Sequence, residues 1–276
     1  MNNLTQRVIT GTVLASIIVI CSIWNFYSFI FLVLLINILG LLEFYRLFHS
    51  DRISPNRTLG LVLSLSMILT FGMFLNDLAG WEIILINIPL AFILPVAELF
   101  LKKEQPFVNL GLTFSGLIYI TLPLCFLCAI AFFPRTMVRY NPEIIIGYFL
   151  IVWAGDSFAY LVGSLFGKHP LFLRISPGKT WEGSIGGLGA SMVVALIVSY
   201  YLNSLTTIDW LIMSVIIIVT GTFGDLVKSL MKRSLKLKDS GNILPGHGGV
   251  LDRFDSLLGS SGFIMCYLIL FRYAQA

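Results

Sequence analysis

Charge is the scarcest property of this chain. Asp, Glu, Lys and Arg make up 12% of its 276 residues while apolar types make up 57%, and a soluble domain carries about twice that charge. With a mean hydropathy of +0.92, the shortage excludes a soluble globular domain and places the chain among integral membrane proteins. Only four cysteines are present. Cys21, Cys125, Cys128 and Cys266 all lie in apolar runs, and the C-x-x-C of Cys125 and Cys128 has no second pair or nearby His to complete a zinc site, so all four read as core thiols. No basic-aromatic pattern is present, which excludes nucleic acid as a partner, and the net charge of +4 suits anionic lipid headgroups instead. The chain shows no low-complexity tract, long linker or strict repeat. The echo between Gly155-Asp156 and Gly224-Asp225 is too faint to build an inverted-repeat transporter on. The first apolar run lacks a small-x-small cleavage site and is followed at once by another, so it reads as a retained helix.

What is there is a series of apolar runs of spanning length, about 17 to 25 residues each. They fall near Val8–Ile23, Phe26–Phe48, Leu59–Asn76, Trp81–Leu101, Leu110–Phe133, Glu143–Val162, Gly183–Tyr201, Trp210–Gly224 and Phe254–Phe271. The expected fold is therefore all-α, a polytopic integral membrane protein of about nine transmembrane helices. It reads as one membrane domain, with N-terminal helices over 1–140 and a C-terminal region over 141–276. Fifteen of the eighteen Lys and Arg fall on one face of this topology, and only Arg135, Arg139 and Arg272 on the other. Basic residues in short loops mark the cytoplasmic side, so the N-terminus and the basic loops are expected in the cytoplasm.

The charge that exists is concentrated. Ten charged side chains, four acidic and six basic, lie in the thirty-one residues from Asp225 to Asp255. Each would cost roughly 2.5 to 3.5 kcal/mol at the bilayer centre, so the cluster belongs at a membrane surface or in a polar cavity. Asp225 closes one span, and Asp252 and Asp255 stand three apart at the start of the next. Carboxylates converging from two helices suit Mg2+, which takes one or two of them and completes its shell with phosphate oxygens and water. The plainer reading pairs these acids with Lys228 and Arg253. Lys232 and Arg233 are either phosphate ligands or a collar that snorkels to the membrane surface. Lys238-Asp239 and the turn Pro245-Gly246-His247-Gly248-Gly249 offer backbone N–H groups to phosphate, with His247 a donor or a residue that shapes the loop. Upstream, Ser176-Pro177-Gly178-Lys179-Thr180 ends like a P-loop, but position 173 is Leu where that motif needs Gly. Asp156 and Glu182 are candidate partners for the cations of this block. The run Gly183, Gly186, Gly187, Gly189, Ala190 and Ser191 reads as a close-packing helix face.

Two blocks together resemble a known family. Ser229, Lys232, Arg233, Lys238, Asp239, Gly241, Pro245, His247, Gly248, Gly249, Asp252, Arg253 and Asp255 stand at the spacing S-x-x-K-R-x4-K-D-x-G-x3-P-x-H-G-G-x2-D-R-x-D. That is the signature of the phosphatidate cytidylyltransferases, or CDP-diacylglycerol synthases. The block Asp156–Gly183, with Tyr160, Gly163, Gly167, Lys168 and S-P-G-K-T-W-E-G from Ser176, is similar to the same family. The resemblance is close in the C-terminal half and general in the first ~140 residues. It implies transfer of a cytidylyl group from CTP to phosphatidate, as a step of phospholipid biosynthesis, at a bacterial inner membrane with the site facing the cytoplasm. It implies Mg2+ on Asp225 and Asp252, with Asp255 a further ligand or orienter, and leaves room for a second, monovalent or divalent, cation. Lys232 and Arg233 would act on the reacting phosphates. Lys228, Lys238, Asp239, His247, Gly248, Gly249, Arg253, Ser176 and Lys179 would bind the substrates, membrane lipids would surround the helices, and a homodimer is compatible. Two other readings stay open: a lipid-alcohol kinase, such as a polyprenol kinase, which attacks the γ-phosphorus and needs a base for its hydroxyl, and an anion transporter, whose charges would lie at mid-membrane.

Overall fold

The computed structural model describes residues 3–133, 140–237 and 248–272, with side chains from residue 9 onward. Lys238, Asp239, Pro245 and His247 lie outside the described residues. Among the described residues eight helices are long and apolar enough to cross a membrane, and Ile9–Trp24 forms a shorter apolar helix. The protein is an integral membrane protein. The chain divides into two compact units, Met1–Ala129 with Asp239–Arg253, and Ile130–Lys238 with Phe254–Ala276.

The first unit holds α1 (Asn3–Trp24), α2 (Phe26–Leu47), α3 (Arg57–Leu75), α4 (Asn87–Leu101) entered through a 3₁₀ turn at Trp81–Ile86, and α5 (Pro106–Gly116). A π turn at Leu117–Thr121 leads from α5 into α6 (Leu122–Ile130). The helices break where the sequence offers caps. Asn25 accepts from the Ser28 backbone in a capping box, and Asn56 accepts from the Leu59 N–H, satisfying donors that a helix start leaves orphaned. Some polar groups inside these apolar runs pair across helices. Asn37 of α2 donates to Ser64 Oγ of α3 at 2.9 Å and accepts from Thr121 Oγ1 at 2.8 Å, while Tyr45 Oη donates to the Thr113 carbonyl at 2.9 Å. Where lipid is as apolar as leucine, such bonds and close packing hold helices together.

The second unit holds α7 (Pro142–Phe166), a short antiparallel hairpin of β1 (Pro170–Phe172) and β2 (Ser176–Thr180), α8 (Trp181–Tyr201), α9 (Thr207–Ser234) and most of α10 (Leu251–Tyr267), which ends in a π turn at Leu268–Arg272. The small-residue face of α8 packs closely at Gly183, Gly186 and Gly187, while Gly189 meets no neighbour within 4 Å among the described residues. A Cβ on Gly187 would lie 2.7 Å from the Gly155 carbonyl of α7, and one on Gly183 2.7 Å from that of Ala159. α9 and α10 meet at Gly224 and Gly259, where a Cβ on either would fall within 2.9 Å of the other's Cα. This approach brings the chemistry of the two helices together.

One boundary differs from expectation. α9 continues ten residues past Gly224 to Ser234, because the segment after Gly224 is rich in Leu, Lys and Met and holds no Gly or Pro, and an Asp225–Lys228 pair supports it at i, i+3. Asp225, Lys228, Lys232 and Arg233 therefore stand on helix, where a loop was expected for the three cations.

Candidate active site

The site in the second unit is a chain of carboxylates and cations. Asp225, half-buried on α9, ion-pairs through Oδ1 with Lys228 Nζ at 3.0 Å and through Oδ2 with Lys179 Nζ at 2.6 Å. Lys228 is buried, with 4% of its surface exposed, and also bonds Asp255 of α10. Asp255 accepts from the Ser256 backbone N–H at 2.7 Å and from Ser256 Oγ at 3.4 Å, and that hydroxyl lies 3.3 Å from both oxygens of Asp156 on α7. The network thus draws residues from α7, β2, α9 and α10. Burying ions so far from water is costly unless each is paired and hydrogen-bonded, and here the pairing is continuous.

The sequence separates the two motif blocks by about fifty residues, and the fold joins them. β2 is the S-P-G-K-T segment itself, and it carries Lys179 to Asp225 and to within 3.5 Å of the Thr222 carbonyl. The turn of the hairpin is tied to the end of α9, where Arg233 Nε donates to the Ile175 carbonyl at 3.5 Å. Ser176 sits at the start of β2, half-buried. Thr180 caps α8 by accepting from the Gly183 N–H at 3.2 Å. Glu182 pairs with His169 Nδ1 at 2.6 Å, so it partners the hairpin.

The described signature residues from Gly248 to Arg253 sit in the first unit. Asp252 accepts from the Gly249 N–H at 3.3 Å, and the exposed Arg253 closes the first turn of α10 through its N–H to the Val250 carbonyl at 3.0 Å. Gly248 adopts φ 81°, a left-handed conformation that glycine takes without strain. Val250 and Leu251, at the start of α10, donate their N–H groups to the carboxylate of Glu43 on α2, at 2.6 and 3.4 Å. Composition gave no sign of Glu43, Ser256 or a role for Asp156 beyond pairing; Ser256 is signalled only by its place directly after the signature's last Asp.

Among the described residues no group of three or more His, Cys, Asp and Glu is placed to hold a metal ion. Asp225 and Asp255 nevertheless present hard carboxylate oxygens to one point, where the Lys228 ammonium now lies. Two carboxylates sharing one cation position offer the hard oxygen donors that suit Mg2+, so these residues fit that ion by donor type, with Asp225 the more accessible and Asp255 buried.

The model of the Cytidylyltransferase family matches residues 5–271. The phosphatidate cytidylyltransferase of Bacillus subtilis (strain 168) is 33% identical over 277 residues, covering 98% of this chain and all of that one. That of Staphylococcus aureus (strain COL) is 35% identical over 82% of this chain and 85% of its own length. That of Haemophilus influenzae is 45% identical over a shorter stretch, 42% of each chain.

Proposed function

The chain belongs to the cytidylyltransferase family, and from that premise we propose that it transfers the cytidylyl group of CTP to phosphatidate, giving CDP-diacylglycerol and pyrophosphate. The observation that carries this reading at the level of chemistry is the convergence of Lys179 and Lys228 on Asp225, with Asp255 sharing Lys228. With a divalent cation on its carboxylates, such a cluster would neutralise and position polyanions.

An oxygen of the phosphatidate phosphate attacks the α-phosphorus of CTP, the bond from that phosphorus to the bridging oxygen breaks, and pyrophosphate leaves. The nucleophile is already an anion, so no group need remove a proton from it. What must be overcome is repulsion between two polyanions and charge growth on the leaving group. Mg2+, when bound by Asp225 and Asp255 with Asp252 assigned by the signature, supplies positive charge at these phosphates. Lys179 and Lys228 hold Asp225 and Asp255 in place, and Ser256 orients Asp255. Lys232 and Arg233, one to two turns beyond Lys228 on α9, meet the triphosphate and the lipid phosphate. Lys238, Asp239 and His247 extend the same phosphate-binding segment by the signature. The acyl chains stay in the bilayer. A lipid-alcohol kinase is not favoured, since the relatives named above are all phosphatidate cytidylyltransferases.

Purified protein in detergent micelles with Mg2+, CTP and phosphatidate is expected to release pyrophosphate and form a cytidine-bearing lipid in equal amounts. Diacylglycerol or a polyprenol should not replace phosphatidate, because neither carries the anionic nucleophile. Formation of CDP with a phosphorylated alcohol, and no pyrophosphate, would overturn the reading.

The site faces the cytoplasm on this proposal, following the bias of basic residues and the need for CTP. A Cys placed at Lys236, in a chain without its native Cys, is expected to react with an impermeant thiol reagent only in inside-out vesicles. Equal labelling in sealed right-side-out vesicles contradicts that orientation.

A further inference from the structure

Glu43 is the acid that the function leaves unexplained. It lies on α2, within an apolar run, 98% buried. A carboxylate in such a place is costly unless it is hydrogen-bonded. Its Oε2 accepts the N–H groups of Val250 at 2.6 Å and Leu251 at 3.4 Å, while Oε1 has no hydrogen-bond partner among the described residues. These two N–H groups open α10, and the first N–H groups of a helix have no partner inside it. In a capping box the side chain of the N3 residue serves the N-cap N–H, yet the residue at N3 here is Arg253, which has no acceptor. Glu43 does that work from another helix, about two hundred residues away in sequence. Its negative charge also faces the positive end of the α10 dipole, the favourable sign.

The next residue is Asp252. Its carboxylate is turned back onto the Gly249 N–H, so the backbone that Glu43 clamps runs directly into the side chain that the signature makes a metal ligand. Gly248, at φ 81°, and Gly249 leave this backbone few restraints of their own. We propose that Glu43 is a positioning residue: by capping α10 across the bundle it fixes the Gly249–Asp252 turn and so holds the Asp252 carboxylate in its working orientation. This rests on the proposed role of Asp252. Partners that orient a metal ligand typically contribute 10- to 100-fold in metal affinity or activity.

The test compares Glu43→Ala, Glu43→Gln and wild type in micelles, by hydrogen–deuterium exchange over residues 248–256, by Mn2+ binding followed by paramagnetic resonance, and by turnover. Glu43→Ala is expected to exchange faster over that segment and little elsewhere, to bind Mn2+ about 10- to 100-fold more weakly and to lose kcat by a similar factor, with KM for CTP nearly unchanged. Glu43→Gln keeps one acceptor oxygen and should recover most of the exchange protection and much of the turnover. Wild-type exchange, Mn2+ affinity and kcat in Glu43→Ala would overturn the proposal, as would a uniform rise in exchange across all helices, which marks a fold contribution only. If Glu43→Ala does not fold, Glu43→Gln alone decides: wild-type Mn2+ affinity and kcat with unprotected 248–256 amides overturn it, and graded losses of all three support it. Exchange is read without substrate, so a protein that made no CDP-lipid would sink the functional reading while the capping result still stood on its own.

Discussion

Asp225→Asn is expected to lower kcat below about one thousandth of wild type, the upper end of what a single preorganised charge partner contributes, while the protein still inserts and elutes as a folded species. The substitution keeps the shape of the side chain and one acceptor oxygen but removes the charge that faces two ammonium groups, Lys179 Nζ at 2.6 Å and Lys228 Nζ at 3.0 Å. It also removes one of the two carboxylates that face Lys228 together. Asp252→Asn is expected to behave in the same way, from the metal role proposed for it. Cytidine-lipid formation over a Mg2+ titration checks both, and near-normal turnover in either variant removes that residue from the metal site.

Spans were legible because each apolar run must satisfy its backbone within itself in lipid, so hydropathy alone marks helices. The end of α9 was harder: charge suggested a loop at Lys228–Arg233, whereas propensity and the Asp225–Lys228 pair keep it helical. The hairpin at 170–180 was not legible, since Ser176-Pro177-Gly178 carries turn chemistry and the pairing is only two strands of three and five residues. Individual acids within spans were the least legible of all. Asp156 and Glu43 give no periodic signal, and what defines them is a tertiary partner: Ser256 of α10 for one, the backbone at the start of α10 for the other. The signature, by contrast, was legible as a fixed spacing, and within the second unit the fold shows the reason for part of it. Lys232 and Arg233 follow Lys228 by one turn, and α10 returns Asp255 to Lys228 through the Gly224–Gly259 contact.

Lys228→Met tests the same cradle from its cationic side. Lys228 is buried and bridges Asp225 and Asp255, so Met fills the space of its stem and withdraws only the charge. Asp225 keeps Lys179 and Asp255 keeps the Ser256 N–H, but Asp255 is then a buried acid without a cation. Breaking a buried pair by removing one partner costs about 3–5 kcal/mol, which is a large part of the 5–15 kcal/mol that stabilises an ordinary domain. In metal-free micelles the variant is therefore expected to unfold at a clearly lower temperature than wild type. Saturating Mg2+ should reverse much of that loss, because an ion that binds only the folded state adds about 2.7 kcal/mol at one hundred times its dissociation constant. On the proposed metal role the Mg2+-induced shift should be larger in Lys228→Met than in wild type, where the ion would compete with the ammonium for the same oxygens. Turnover should remain low, since the cation that holds the two carboxylates in register is missing. Thermal unfolding with and without Mg2+, followed by tryptophan emission, measures each step. Equal Mg2+ shifts in the two proteins would remove Asp225 and Asp255 from any shared metal cradle, leaving Lys228 as the permanent counter-ion of a purely structural pair.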